Sequence, residues 1–247
     1  MDRKQKVAIV TGASRGIGAA IAKRLASEEI AVVINYASRK QEAEHIVNDI
    51  HSSGGNAFAF QADVSDARAV KHLFDIAEEK FGAVEILVNS AGILPAHLPM
   101  LSETDDKTFD DVFAINVKGS FNTMREAAKR LLNGGRIVNF SSSIIGARRE
   151  GYSVYAASKA AIESFTAVFA KELRGRNITV NAVAPGPVAT EMFLTGKSEE
   201  LVEQFKKLSP LERLGAPEDI ASVVAFLVGP DGGWVNGQVL RANGGYI

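Results

Sequence analysis

The sequence contains no cysteine. Disulfides, thiolate zinc sites and a cysteine nucleophile are therefore excluded. Histidine is scarce: four occur, His45, His51, His72 and His97, never four residues apart, and three lie on stretches that read as polar helix faces. No metal site is expected from such a set. Long apolar runs are missing too. The basic start of the chain is followed only by Val7 to Val10, too short for a signal peptide or a membrane span, and no later stretch approaches a span. A cytosolic protein with no membrane partner is expected. The sequon Asn177-Ile178-Thr179 opens an apolar strand in a chain without an export signal and carries little weight. Nor is charge of one sign in surplus. The 28 Lys and Arg face 29 Asp and Glu, which offers no basic field to a nucleic acid backbone.

What is present is an alternation. Short runs rich in Val and Ile occur at Lys6 to Val10, Ala31 to Asn35, Ala57 to Gln61, Val84 to Asn89 and Gly135 to Phe140. Between them lie amphipathic stretches of helical period: Ala19 to Glu28, Lys40 to Ser52, Ala67 to Phe81 and about Asp105 to Leu132. A helix over about Tyr152 to Leu173, a strand at Ile178 to Val183 and a Pro/Gly turn at Pro185 to Pro187 follow. The end is a variable stretch to Leu208, a helix from Pro217 to Leu227 and a last strand at Gln238 to Arg241. This predicts an α/β fold, a doubly wound seven-stranded parallel sheet, in a single domain over 1–247 with no linker and no repeat.

The first strand runs through Thr11-Gly12-Ala13-Ser14-Arg15-Gly16-Ile17-Gly18 directly into a helix. In that position glycines permit a tight turn, let the backbone approach a pyrophosphate and let helix and strand pack closely, with the phosphates at the positive helix end. The spacing is T-G-x-x-x-G-x-G, and in this form it resembles the short-chain dehydrogenase/reductase family. Later come Ser142, Tyr155 and Lys159. Tyr155 and Lys159 stand one helical turn apart and project from the same face. A free phenol, with a pKa of about 10, is a poor acid-base group, but an adjacent ammonium and an oxidised nicotinamide favour the phenolate. Tyr155 is then a proton donor for carbonyl reduction or an acceptor for alcohol oxidation. Ser142, at the end of a parallel strand, is placed to polarise the substrate oxygen. Ser141 and Ser143 compete for that role, but the alternation of a strand points them elsewhere.

The resemblance covers essentially the whole chain, in order, and implies a Rossmann fold. The family's adenine-contacting acid matches Asp63, which as a residue also suits a helix cap, and its N-N-A-G motif matches Asn89-Ser90-Ala91-Gly92 with a departure at Ser90. Its catalytic set matches Asn116, Ser142, Tyr155 and Lys159, Asn116 being implied to hold a water next to Lys159. Its P-G segment, which contacts the nicotinamide, matches Pro185 to Thr190. Cofactor contacts are thus expected at Gly12, Ser14, Arg15, Gly16, Ile17, Gly18, Tyr36, Ala37, Ser38, Arg39, Asp63, Val64, Asn89, Ala91, Gly92, Tyr155, Lys159, Pro185, Gly186, Val188 and Thr190. The cofactor is expected to be NADP(H). The second strand ends in Asn35-Tyr36-Ala37-Ser38-Arg39-Lys40 with no acid to hold a ribose 2′-hydroxyl, while Arg15 and Arg39, more than Lys40, suit a 2′-phosphate.

A substrate pocket is expected from Leu94, His97, Ser142, Ile144, Tyr152, Pro187, Met192 and Phe193, with a lid at about 190–208. Its mostly apolar walls suit a small or medium ketone or ketoester. The likeness is strongest to 3-oxoacyl-carrier-protein reductases and related carbonyl reductases. Lys129, Arg130, Arg174 and Arg176 are the candidates for docking an acyl carrier protein, although Leu132-Asn133 and the loop Ile93 to Met100 depart from those enzymes. The family also implies a homotetramer, with Ile162, Phe165, Val168 and Phe169 suited to its helix bundle or to the core. Two other readings stand beside the reductase: an NAD(P)-dependent alcohol, sugar or steroid dehydrogenase working oxidatively, and a non-catalytic dinucleotide-binding protein. A serine hydrolase is excluded, because no histidine follows Ser153 in its only elbow-like stretch.

Overall fold

Residues that are β-branched and apolar on both sides of the chain can be satisfied only inside a sheet covered on two faces. Seven such segments pair here. In this computed structural model, which describes residues 5–95 and 97–247, the strands are β1 (Val7–Thr11), β2 (Ala31–Tyr36), β3 (Ala57–Gln61), β4 (Ile86–Asn89), β5 (Arg136–Phe140), β6 (Thr179–Pro185) and β7 (Val239–Ala242). All pair in parallel, in the order β3-β2-β1-β4-β5-β6-β7. This is the doubly wound Rossmann arrangement. Helices α1 (Gly16–Ser27) and α2 (Lys40–Ser52) lie on one face, and α3 (Ala67–Phe81) lies on the other. The order of winding reverses between β1 and β4, so the crevice for ligands opens beyond the carboxyl ends of those two strands.

The stretch read as one helix from about Asp105 to Leu132 is not one. It comprises α4 (Asp106–Phe113), a π-helical turn over Ala114–Gly119 and α5 (Ser120–Arg130). The wider turn carries Asn116, whose buried amide is bound to the backbone of Ile93, and Gly119, where an added Cβ would lie 2.5 Å from Val64 Cγ2. The residues on both sides stay helical and the buried ones here are mostly polar, so the sequence pattern does not reveal the turn.

A short helix, α6 (Ile144–Ala147), precedes α7 (Ser153–Glu172), which carries Tyr155 and Lys159. The variable stretch proves helical: α8 (Glu191–Leu194) and α9 (Glu199–Leu208) precede α10 (Pro217–Val228), which packs beside α1. A directional chain of buried hydrogen bonds joins α5 to α7 through the sheet. Thr123 Oγ1 donates to Asn89 Oδ1 (2.6 Å), Asn89 Nδ2 to Asn139 Oδ1 (2.8 Å), Asn139 Nδ2 to Thr166 Oγ1 (2.9 Å), and Thr166 Oγ1 to the Ile162 carbonyl (2.8 Å). No helix among the described residues is long and apolar enough to cross a membrane.

Candidate active site

β1 ends at Thr11, and the chain turns through Gly12 at φ +62°. A Cβ on Gly12 would sit 2.8 Å from Ala91 Cα, and one on Gly18 would sit 2.4 Å from the Gly12 carbonyl. Neither position has room for a side chain. The first turn of α1 has neither a side-chain cap nor an acidic residue, which leaves its N–H groups facing the crevice for an anion. Thr11 Oγ1 accepts from Ala91 N (3.0 Å), and Ala13 N donates to the Asn35 carbonyl (2.9 Å), so the turn is tied to the ends of β4 and β2. At the far end stand Ser38 and Arg39, with Arg15 opposite, and no acid at the end of β2. The close backbone turn and this donor set fit a dinucleotide carrying an extra phosphate.

The crevice, about 410 Å³, continues from this cradle to Ser142, Tyr155 and Lys159. Three consecutive serines follow β5, and their partners separate them. Ser141 Oγ donates to Glu163 (2.7 Å) and Ser143 Oγ to the Ala184 carbonyl (3.0 Å), whereas Ser142 Oγ accepts from Ile144 N (3.2 Å) and lines the crevice beside Tyr155. Burial pushes the phenol up to about 12, against the opposing pull of the nearby Ser142 hydroxyl. Lys159 Nζ lies 5.7 Å from the Tyr155 ring centre and donates to the Phe140 carbonyl (2.9 Å), and burial holds the ammonium down at about 8. Burial, rather than the neighbouring ammonium, therefore sets the phenol, and its direction is opposite to that expected from the sequence.

Nearly all the expected positions line this one crevice. They include Ser14, Ile17, Tyr36, Ala37, Val64, Gly92, Gly186 and Val188 on the cofactor side, and Leu94, Ile144, Tyr152, Pro187, Met192 and Phe193 around the reacting end. Three of the expected positions do not line it. The Asn89 side chain is spent inside the sheet on Asn139 and Thr123. Asn116 lies behind the wall, its amide accepting from Ile93 N (2.8 Å) and donating to the Ile93 carbonyl (3.0 Å) and Ser158 Oγ (3.1 Å). His97 is exposed and away from the crevice. Asp63 lines the wall and accepts from Ser65 N (2.8 Å), while Asp66 caps α3.

Other lining residues outside the expected set are Arg149, Glu191, Phe205 and Tyr246. Arg149 stacks 4.5 Å over the Phe205 ring, and Phe205 meets Phe193 edge-on at 5.1 Å. Phe205 and Tyr246 reach the crevice because the fold brings α9 and the segment after β7 to it.

The profile of the family described as Enoyl-(Acyl carrier protein) reductase matches residues 12–247. The chain belongs to the short-chain dehydrogenase/reductase family. It is 48% identical to a short-chain type dehydrogenase/reductase of Picea abies, over 98% of this chain and 92% of that one. To the NADPH-dependent aldehyde reductase-like protein, chloroplastic, of Arabidopsis thaliana it is 47% identical, over 98% of this chain and 94% of that one. Among solved structures, a short-chain dehydrogenase from Burkholderia cenocepacia in complex with NADP superimposes with a TM-score of 0.92 at 39% identity, covering 99% of both chains.

The basic patch expected on this short-chain dehydrogenase/reductase is largely consumed. Arg130 pairs with Asp75 (2.7 Å) and Glu78 (2.6 Å) on α3. Arg176 donates to the carbonyls of Ala128 and Leu131 and to Asn133 Oδ1 (3.1 Å). Lys129 pairs with Glu126 (3.4 Å), which leaves Arg174 without an acid partner among the described residues.

Proposed function

We propose that this protein is an NADPH-dependent reductase of carbonyl compounds, taking a small or medium apolar ketone or 3-oxoacyl-type ester to its secondary alcohol. The carrying observation is that Ser142, Tyr155 and Lys159 converge at one end of a crevice whose other end is built for a dinucleotide. The cofactor is NADP(H): Ser38, Arg39 and Arg15 supply phosphate donors where an NAD site has an acid, and similar proteins carry NADPH in their names or NADP in their structures. When bound, it supplies the hydride.

The chain's residues do the rest. Ser142 donates to the substrate oxygen, and Tyr155 releases its proton to that oxygen as charge builds there. A phenol pushed up by burial holds its proton at neutral pH, the form that carbonyl reduction requires. Lys159 places a positive charge beside the phenol, and Asn116 acts as a positioning residue that fixes Ile93 and Ser158. The apolar wall of Leu94, Ile144, Met192 and Phe193 excludes charged substrates from most of the pocket, and α8 with α9 serves as its lid. The thinned basic patch argues against a carrier-protein partner.

Tyr155→Phe tests the mechanism. Reduction across a panel of ketones, aldehydes and acetoacetyl thioesters, followed by nicotinamide absorbance, should fall by about 10²- to 10⁴-fold, with NADPH affinity retained. Unchanged turnover would overturn the role of the phenol.

A further inference from the structure

Two arginines from separate elements converge on one carboxylate. Arg15 leaves the glycine turn, Arg39 leaves the end of β2, and both reach Glu191, the first residue of α8. Arg15 Nη1 pairs with Oε2, and Arg39 Nη2 donates to Oε1 at 3.1 Å, across 152 positions of sequence. Arg39 Nη1 also meets Glu42 at 3.2 Å, while Arg15 has no other acid among the described residues. The two guanidinium groups hold the Glu191 carboxyl below the usual carboxylate range, so it is ionised at neutral pH.

These are the two groups assigned above to the cofactor's 2′-phosphate, so the carboxylate and that phosphate compete for the same donors. The pairs are open to water, with the Arg15 side chain 41% and the Glu191 side chain 54% exposed, and such contacts exchange readily. A phosphate brings more charge and three acceptor oxygens, and it repels Glu191. We infer that Glu191 is a built-in stand-in for the cofactor's 2′-phosphate. It pre-positions Arg15 and Arg39, lowers their net affinity for the phosphate, and anchors α8 until NADP(H) displaces it. NAD(H) has no group to force that displacement. The movement reaches the reacting end directly, because Met192 and Phe193 follow Glu191 in α8 and Phe193 packs on Phe205 of α9. This inference rests on the assignment of Arg15 and Arg39 to the 2′-phosphate.

Calorimetric titration of the whole protein with adenosine 2′,5′-bisphosphate and with AMP, which differ only in the 2′-phosphate, tests it. Glu191→Gln should bind the bisphosphate about 3- to 10-fold more tightly than wild type, with the AMP constant unchanged and the gain shrinking at high salt. Amide exchange over residues 191–208 supplies a second readout. In wild type the bisphosphate should speed exchange and AMP should not; in Glu191→Gln exchange should be fast from the outset. A wild type that binds both nucleotides equally removes the arginine assignment and this inference together. A wild-type preference left unchanged or weakened by Glu191→Gln overturns the inference alone. Exchange that does not respond to the bisphosphate overturns the coupling to α8.

Discussion

Two buried side chains set the pH behaviour of the site. Lys159 is held down at about 8 and Tyr155 is pushed up to about 12, both by desolvation of the charged form. The lowered lysine value means that the ammonium is present below about pH 8 and lost as pH rises through it, while the phenol still keeps its proton. For reduction, kcat/KM should therefore be level from about pH 6 to 8 and decline above about 8, since that ratio reports the free enzyme. A profile that stays level to about pH 10 would deny Lys159's charge a part in the reaction. The same residue scale governs cofactor choice. Arg39→Asp places a carboxylate where we propose the 2′-phosphate binds, so NADPH affinity should drop by at least about tenfold and NADH should gain, as measured by Kd for each.

The elements show what a sequence pattern can and cannot carry. The glycine turn was legible because β1, the turn and α1 are contiguous, and the Tyr155 and Lys159 pair was legible because one helical turn relates them. The π-helical turn was not, since the buried positions around it, Asn116, Gly119, Ser120 and Thr123, form no apolar stripe whose shift could mark it. The function of Asn116 as a clamp on Ile93 was hidden with it. Glu191 was hidden by distance: nothing local marks it as the partner of two arginines far away in the chain. Asn116→Ala should leave the Ile93 N–H and carbonyl unpaired and lower stability by about 1–3 kcal/mol, read from the urea midpoint. Cofactor binding should weaken as well, because the loop it holds runs past Gly92. Stability equal to wild type would show that water replaces the amide.

At the scale of the whole molecule, we expect four copies to associate through α4, α5 and α7. Of the residues read as candidates for that bundle, Ile162 is core, and Phe165 and Phe169 pack against it, while Val168 is 52% exposed. Phe109 and Phe121 also remain open, at 45% and 42%. These three are the side chains we propose the assembly covers. Light scattering at micromolar concentration should give four times the chain mass, and Val168→Glu should reduce it. A monomeric wild type would refute the assembly.

A parallel sheet made of valine and isoleucine has no means of counting. Sliding β5 along β4 by two residues returns a similar apolar surface to each side, and hydrophobic burial alone hardly distinguishes the two products. The chain from Thr123 through Asn89 and Asn139 to Thr166 supplies the count. In a slipped sheet these amides would be stranded in an apolar interior, each orphaned group costing about 1–3 kcal/mol. The polar thread thus favours the native register, and because its last member, Thr166, lies on α7, the count is complete only once that helix has docked.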